Sequence, residues 1–318
     1  YNTWVDNGIQ AIMPRTVPWE TRCWSAENGK WVAMSQKEFY NYFISNARVL
    51  RGPGQTYHIC IDTANAHRQS IYEMAKAAKQ FANNEYDIKI MVGNIANPET
   101  YRKYVEVGCD FVRCSIGSGS RCTTSSNVAI HYGCFSLLKE IWEIKNNMKA
   151  KCKIIADGGI KGYGDIQKAL LYADYVMIGS LFNKAIDSAG TPVYGRFYWN
   201  FFGEKILNPF KTFLYYGKKV KKKDYGRVLR LIKEGKVDVW KEYYGMSTKI
   251  AQSKINPNGA LKTGEGKVER QKVEYSIKQW VQNESDFLRS AMSYTNSKTL
   301  EEYKDSNWIQ LVYKSYNK

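Results

Sequence analysis

The residues best suited to chemistry lie in one stretch, Asp110–Thr124. Its apolar start is followed by Gly117 and Gly119, a pattern typical of a buried strand that ends in a glycine-rich turn. Cys122 comes directly after this turn, among hydroxyl-bearing residues. A lone cysteine is more commonly a buried structural residue, but a thiol on a polar loop after a strand is suited to nucleophilic attack. The polar, glycine-rich surroundings favour the nucleophile.

The elements that must position this loop are short apolar runs that alternate with helix-like stretches. The predicted strands are Gly8–Met13, Trp31–Ser35, Tyr57–Asp62, Ile88–Asn94, the run that begins at Asp110, Lys153–Asp157 and Tyr175–Gly179. The predicted helices are Gln36–Asn46, Ser70–Asn83, Pro98–Val107, Cys134–Asn146 and Asp165–Leu171. Such alternation predicts an α/β fold with a parallel sheet, and this many strands favour a TIM (β/α)8 barrel.

Composition narrows the class of protein further. The 318 residues are 44% hydrophobic, enough for a large core, and no apolar run is long enough to span a bilayer. The seven cysteines are odd in number and form no CxxC pair, which predicts a reducing, cytoplasmic setting. The formal net charge of +17 would attract polyanions, from nucleotides to nucleic acid.

The loop at residues 117–124 resembles the catalytic loop of the IMP dehydrogenase/GMP reductase family. Three further motifs occur in the family's order: Ile-Ala-Asp-Gly-Gly-Ile at 155–160 with Gly-Asp-Ile at 164–166, Val-Met-Ile-Gly-Ser-Leu at 176–181, and Tyr-Gly-Met-Ser-Thr at 244–248. The resemblance implies one barrel domain over residues 1–318. Since seven strands are found where the barrel needs eight, we expect the first strand to be missing from this sequence. The segment at 15–30 is too short for the regulatory CBS module of the family's dehydrogenases.

Residues 191–241 depart from the family pattern and are predicted to be a basic insertion after strand eight. An aromatic run at 196–202 is followed by a lysine-rich run at 218–223. In one interpretation the insertion packs on the barrel or forms a subunit contact, and its lysines face solvent. In the other it binds nucleic acid or an anionic membrane through its lysines and aromatic residues.

The resemblance implies the roles of individual residues. Cys122 would attack C2 of a purine nucleotide monophosphate, and Thr124 and Glu265 would handle the proton transfers. Asp157 would bind the ribose hydroxyls, although an aspartate here could instead cap the following helix. The residues implied to bind the substrate are Ser120, Asp157, Gly158, Gly159, Gly179, Ser180, Tyr243, Gly245, Met246, Ser247 and Lys262.

The resemblance also implies a nicotinamide cofactor, NADPH or alternatively NAD⁺, and a homotetramer. The residues implied to contact the cofactor are Asp62, Ala64, Asn94 and Arg15, of which Arg15 could equally be a surface residue. Gly117, Gly119 and Cys122 match positions whose carbonyls coordinate a monovalent cation in the dehydrogenases, which suits K⁺.

The direction of the reaction depends on the flap. The family's dehydrogenases carry a water-activating Arg-Tyr pair there, and residues 250–258 contain none. Thr124, Glu265 and the Tyr-Gly-Met-Ser spelling match the reductases, although Thr124 and Glu265 also have counterparts in the dehydrogenases. Gly-Ser-Gly-Ser at 117–120, Asp-Gly-Gly-Ile and Gly-Ser-Leu are closer to the dehydrogenases, so the missing Arg-Tyr pair is the main argument. The sequence therefore predicts a divergent GMP reductase. The alternatives are an IMP dehydrogenase without a CBS module, an unusual purine substrate, or a nucleotide-binding scaffold protein.

Overall fold

The computed structural model describes residues 9–14, 21–25, 30–34, 56–80, 87–119, 122–201, 204–244, 248–255 and 267–306. The chain divides into two compact units. Unit 1 takes residues 1–160, 173–180 and 242–270, and unit 2 takes 161–172, 181–241 and 271–318. A single barrel domain over the whole chain and a missing first strand stay predictions.

Unit 1 is built on an eight-stranded sheet with the order β3-β2-β1-β4-β5-β6-β7-β8. The strands are β1 Ile9–Pro14, β2 Thr21–Ser25, β3 Lys30–Met34, β4 Thr56–Asp62, β5 Asp87–Ile95, β6 Phe111–Cys114, β7 Lys153–Asp157 and β8 Tyr175–Met177. From β1 through β4 to β8, neighbouring strands run parallel. Their carboxyl ends therefore meet at one edge of the sheet, as the α/β pattern predicts.

The prediction of Trp31–Ser35 as a parallel strand is wrong. These residues form most of β3, which pairs antiparallel with β2, a strand that the sequence did not predict. Asn28-Gly29, a pair typical of tight hairpin turns, stands between the two strands in the sequence. β1 consequently pairs directly with β4, and six strands of the described sheet are parallel rather than seven. The helix predicted at Gln36–Asn46 lies outside the described residues.

Four helices follow the strands of unit 1: α1 Gln69–Gln80, α2 Pro98–Val107, α3 Thr124–Val128 and α4 Cys134–Asn147. The bounds of α2 confirm the prediction from its Pro98, because the Asn97 side chain accepts a hydrogen bond from the Glu99 amide and Gly108 ends the helix at φ 85°. Two wholly buried tyrosines satisfy their hydroxyls on backbone carbonyls, Tyr101 on Cys152 at 2.8 Å and Tyr104 on Ala66 at 2.6 Å. Side chains from different elements are thereby fixed in one core.

Unit 2 contains the helices α5 Tyr163–Leu170, α7 Pro209–Tyr215, α8 Tyr225–Lys233, α10 Ile277–Tyr294 and α11 Leu300–Asp305. Helix α6 Ser180–Asn183 begins in unit 1, and α9 Lys249–Ile255 lies within unit 1. A second sheet has the order β10-β9-β11-β12, with β9 Val193–Phe201, β10 Glu204–Leu207, β11 Val237–Tyr244 and β12 Val268–Lys272. The region predicted as an insertion supplies β9, β10, α7, α8 and most of β11. Its core is a cluster of buried residues that includes Tyr194, Val228 and Val239.

Across the part of the chain that the structure describes, no helix combines the length and the apolar character that crossing a bilayer requires.

Gly93 on β5 is predicted to be indispensable to the sheet. A Cβ at this position would lie 2.4 Å from the Arg113 Cβ and 2.8 Å from the Arg113 carbonyl oxygen on the neighbouring strand. Gly93→Ala should therefore lower the free energy of unfolding by about 1–3 kcal/mol, as overpacking does, measured by urea denaturation. Gly164→Ala is the matched control, because nothing lies within 4 Å of its added Cβ. Equal midpoints for the two variants would contradict this account.

Candidate functional site

A buried arginine joins two carboxylates at the carboxyl ends of the parallel strands. Arg113 on β6 donates from one terminal nitrogen to Asp62 Oδ1 at 2.6 Å and from the other to Asp157 Oδ2 at 2.8 Å. The Arg113 side chain is only 12% exposed, whereas Asp157 is 17% and Asp62 33% exposed. Because the guanidinium is planar and carries several fixed donors, it holds both carboxylates in defined positions.

The two neighbouring carboxylates keep Arg113 protonated. Burial alone would lower the pKa of the guanidinium, but the carboxylates of Asp62 and Asp157 outweigh it and raise the pKa. Burial, together with Asp62, also raises the pKa of the nearby Cys60 thiol to about 11. Arg113 therefore stays a cation, and Cys60 stays a neutral thiol, throughout the neutral pH range.

Asn94, at the end of β5, is bonded to the same carboxylate. Its Nδ2 donates to Asp157 Oδ2 at 2.7 Å and to the Ser115 carbonyl at 2.8 Å. Within the described residues, the hydrogen bonds to Asp157 thus end on Oδ2, so Oδ1 is the oxygen that can accept bonds from a ligand. The alternative role for Asp157 as a helix cap is wrong, because α5 begins at Tyr163 with Gly162 in the capping position.

Backbone hydrogen bonds join the loop after β4 to the last residues of β5. The Thr63 amide donates to the Gly93 carbonyl and the Asn94 amide donates to the Thr63 carbonyl, both at 2.8 Å. These bonds bring together Asp62 and Asn94, two of the residues predicted to contact the cofactor. Ala64, a third, lies exposed in the same loop.

The Cys122 loop brings the predicted nucleophile and Thr124 into contact. The thiol donates to Thr124 Oγ1 at 3.1 Å, and the Thr124 amide donates back to Sγ at 3.5 Å. The Cys122 amide donates to the Gly119 carbonyl at 2.9 Å, which closes a tight turn. Cys122 is half-buried, so a ligand can reach its sulfur.

The glycine turn after β7 packs closely on the Cys122 loop. Gly158 and Gly159 have φ of 81° and 77°, and an added Cβ would lie 3.2 Å from Gly119 and from Ser118, respectively. Only glycine combines this backbone conformation with so close an approach. The Ser118 hydroxyl is buried beside the turn and has no hydrogen-bond partner among the described residues.

Gly179 after β8 and Tyr243 at the end of β11, both in unit 1, are in contact. A Cβ at Gly179 would lie 2.7 Å from the Tyr243 hydroxyl, so these two predicted substrate-binding residues are neighbours, and Ser180 follows at the start of α6. The other predicted site residues lie outside the described residues: Arg15, Ser120, Gly245, Met246, Ser247, Lys262 and Glu265.

The donors predicted for a monovalent cation are backbone carbonyls. One of them, the Gly119 carbonyl, already accepts the Cys122 amide and keeps one lone pair for an ion. Neutral carbonyl oxygens fit a monovalent ion, and K⁺ stays a prediction. In the described ranges, no cluster of three His, Cys, Asp or Glu side chains could bind a metal ion.

Sequence reasoning missed Arg113 and Ser118. A basic residue inside the otherwise apolar strand Phe111–Cys114 could have drawn attention to Arg113, since a buried charge needs a partner. Nothing in the residue types around Ser118 distinguishes it from Ser120.

Comparison with known proteins identifies relatives. Residues 54–316 match the family model described as IMP dehydrogenase / GMP reductase domain. An inosine-5'-monophosphate dehydrogenase of Chlorobaculum parvum is 39% identical over 137 residues, which are 42% of this chain and 26% of that protein. A GMP reductase of Streptococcus suis is 31% identical over 201 residues, 58% of each protein. The matches therefore span only part of the length of these relatives.

A solved structure shares the fold. It is a GMP reductase variant from Trypanosoma brucei in complex with guanosine 5'-monophosphate, with a TM-score of 0.58 at 21% sequence identity. The match covers 78% of this chain and 43% of that chain.

Removal of Arg113 should cost far more stability than removal of an exposed arginine. Arg113→Met leaves two partly buried carboxylates without their cation and should lower the free energy of unfolding by about 3 kcal/mol in urea denaturation. Arg102→Met is the control, because Arg102 pairs with Glu99 at the surface, where the side chains are 41% and 62% exposed, and should cost less than about 0.5 kcal/mol. Similar losses in the two variants would contradict a structural role for the buried pairs.

Cys122 should be alkylated before the buried cysteines. Cys114, Cys122 and Cys152 are free, and burial raises the pKa of Cys152 to about 12 and that of Cys114 well above its usual value. These two stay protonated thiols at pH 8, whereas Cys122 is accessible on a polar loop. Iodoacetamide labelling followed by peptide mass spectrometry should modify Cys122 first. Labelling of Cys114 or Cys152 at the same rate as Cys122 would contradict the claim that Cys122 is the most accessible of these thiols.

Proposed function

The chain belongs to the IMP dehydrogenase / GMP reductase family, and we propose that it is a GMP reductase-like oxidoreductase that converts GMP to IMP and ammonia with NADPH. The observation that carries the proposal is the contact of 3.1 Å between Cys122 Sγ and Thr124 Oγ1. It places a hydroxyl that can relay a proton beside the thiol that would bond to C2. Residues 250–258, where the dehydrogenases carry their water-activating pair, have neither Arg nor Tyr.

Binding of the nucleotide would use the strand ends of unit 1. Asp157 Oδ1 would accept hydrogen bonds from the ribose hydroxyls while Oδ2 stays bonded to Arg113 and Asn94. The Gly159 amide, with the Ser120 and Ser180 hydroxyls, would bind the phosphate, because the glycines at 158 and 159 let the backbone approach an anion closely. Tyr243 would close the site from β11.

The covalent steps would take place at C2 of the purine. The Cys122 sulfur forms a bond to C2, the bond from C2 to the amino nitrogen breaks, and the nitrogen leaves as ammonia after accepting a proton. Thr124 would pass this proton, with Glu265 as its source. When bound, reduced nicotinamide would supply the hydride that C2 gains as its bond to sulfur breaks, which would release IMP and return Cys122 as the thiolate that began the attack.

The cofactor would lie beside Asp62, Ala64 and Asn94. One oxygen of Asp62 binds Arg113, but the side chain stays 33% exposed, so a ribose hydroxyl can still reach this carboxylate. The described residues thus fit a nucleotide cofactor. We also propose NADPH over NADH, a K⁺ site at Gly117, Gly119 and Cys122, a homotetramer and a cytoplasmic location, as the family resemblance implies.

The second candidate is an IMP dehydrogenase, IMP and NAD⁺ giving XMP. It is favoured by the 39% identity to the Chlorobaculum protein and by the Gly-Ser-Gly-Ser spelling at 117–120. Both candidates use the same thiol and the same nucleotide site.

Absorbance of the reduced nicotinamide distinguishes the two directions. GMP with NADPH should lose absorbance and release ammonia, whereas IMP with NAD⁺ should give little change. Cys122→Ala should abolish turnover, and Thr124→Val should reduce kcat by about 10²-fold, as expected for loss of a proton relay. Cys134→Ala, at another half-buried cysteine, is the matched control and should stay active.

An increase in absorbance with IMP and NAD⁺ would establish the dehydrogenase instead. Full activity of Cys122→Ala in either direction would refute both candidates.

A further inference from the structure

The chain from β9 to α7 in unit 2 carries large apolar side chains that face solvent. Trp199 is 50% and Ile206 48% exposed, and these two residues are direct cross-strand partners on one face of the β9–β10 hairpin. Phe210 is 71%, Phe213 88% and Leu214 39% exposed on α7. We call these five residues the apolar tip. So many large exposed side chains in one short segment indicate a binding surface.

The orientation of α7 explains why its apolar side chains face outward. The Thr212 hydroxyl accepts a hydrogen bond from the Phe197 amide at 3.0 Å, and the Tyr215 ring packs 5.6 Å from the Phe197 ring. Thr212 and the contact of the Tyr215 ring with Phe197 therefore mark the inner side of the helix, although Tyr215 itself is still 43% exposed. Phe210, Phe213 and Leu214, spaced i, i+3 and i+4, lie on the opposite side. Their exposure follows from a well-anchored helix rather than from a loose one.

The segment that carries the apolar tip is strongly basic. Residues 191–241 contain 13 Lys and Arg against four Asp and Glu, a net of +9 out of the chain's +17. Lys205 and Lys218 lie over the rings of Tyr198 and Tyr215 at 5.6 and 5.7 Å. Lys211 lies on α7 between Phe210 and Phe213, and in the described part of the chain no carboxylate is paired with these three lysines. The partner must therefore be anionic and also offer an apolar environment.

We propose that the apolar tip inserts into the surface of an anionic phospholipid bilayer while the surrounding lysines bind the lipid headgroups. A second copy of the chain fits less well, because pairing like surfaces would bring lysines against lysines. Nucleic acid would satisfy the lysines and could stack on Trp199, Phe210 and Phe213, but it would leave the aliphatic side chains of Ile206 and Leu214 exposed to water. A bilayer interface suits both kinds of side chain, because the apolar ones are buried among the acyl chains while the lysines contact anionic headgroups.

Vesicle flotation of the full-length protein tests the proposal. The probe is a phosphatidylcholine vesicle with about one-third phosphatidylglycerol, compared with phosphatidylcholine alone. The protein should float with the anionic vesicles and bind the neutral ones weakly. The double variant Phe210→Ala/Phe213→Ala should reduce the partition coefficient at least about tenfold, because both removed rings would be buried in the interface. Lys211→Gln/Lys218→Gln should also weaken binding, more at low salt than at high salt.

Matched controls separate the apolar tip from general surface effects. Tyr294→Ala removes a ring that is 93% exposed on α10, and Lys278→Gln/Lys298→Gln removes two other exposed charges, so both should bind like the wild type. All variants replace exposed side chains, and circular dichroism should confirm their folding.

Three results would overturn the proposal. The first is absence of binding to anionic vesicles. If the same protein binds a single-stranded oligonucleotide in a separate assay, the basic surface is a nucleic-acid site instead. The second is vesicle binding that Phe210→Ala/Phe213→Ala leaves unchanged, since insertion would then play no part. The third is a double variant whose oligomer dissociates in sedimentation velocity while vesicle binding persists, which would identify a contact between copies.

Discussion

The ion pairs from Arg113 to Asp62 and Asp157 are the interaction on which the site depends. A guanidinium that is only 12% exposed must be neutralised, and carboxylates from two other parallel strands supply the charge. This requirement fixes the ends of β4, β6 and β7 relative to one another. It also explains Gly93, because a side chain there would collide with the Cβ and the backbone of Arg113.

The same pairs prepare the site for a ligand. Because Arg113 and Asn94 both bind Asp157 Oδ2, the carboxylate is oriented before a nucleotide arrives and presents its other oxygen. The close contact of Gly158 and Gly159 with Ser118 and Gly119 joins this carboxylate to the loop that carries the thiol. Orientation achieved in advance reduces the entropy that binding and reaction would otherwise cost.

Much of the fold and part of the site could be predicted because their determinants are local. Pro98 and the glycines after the strands predicted element ends to within a few residues, and the glycine-rich run at 117–119 predicted the polar loop that carries Cys122. The hairpin containing Trp31 was missed although Asn28-Gly29 is a hairpin signal, because the apolar run at Trp31 was assigned from its alternation with helix-like stretches alone. Arg113 was missed for a different reason: its partners Asp62 and Asp157 are 51 and 44 residues away in the chain, and only the folded sheet brings them together.

The central claim is that Asp157, held by Arg113, binds the ribose of a purine nucleotide within unit 1. Isothermal titration calorimetry with GMP tests it most directly, using the Cys122→Ala variant so that no turnover interferes. We predict measurable binding to Cys122→Ala and a dissociation constant at least about tenfold higher, or about 1.4 kcal/mol, when Asp157→Asn is added. Equal affinity for the single and the double variant would contradict the claim, because the carboxylate would then have no part in binding.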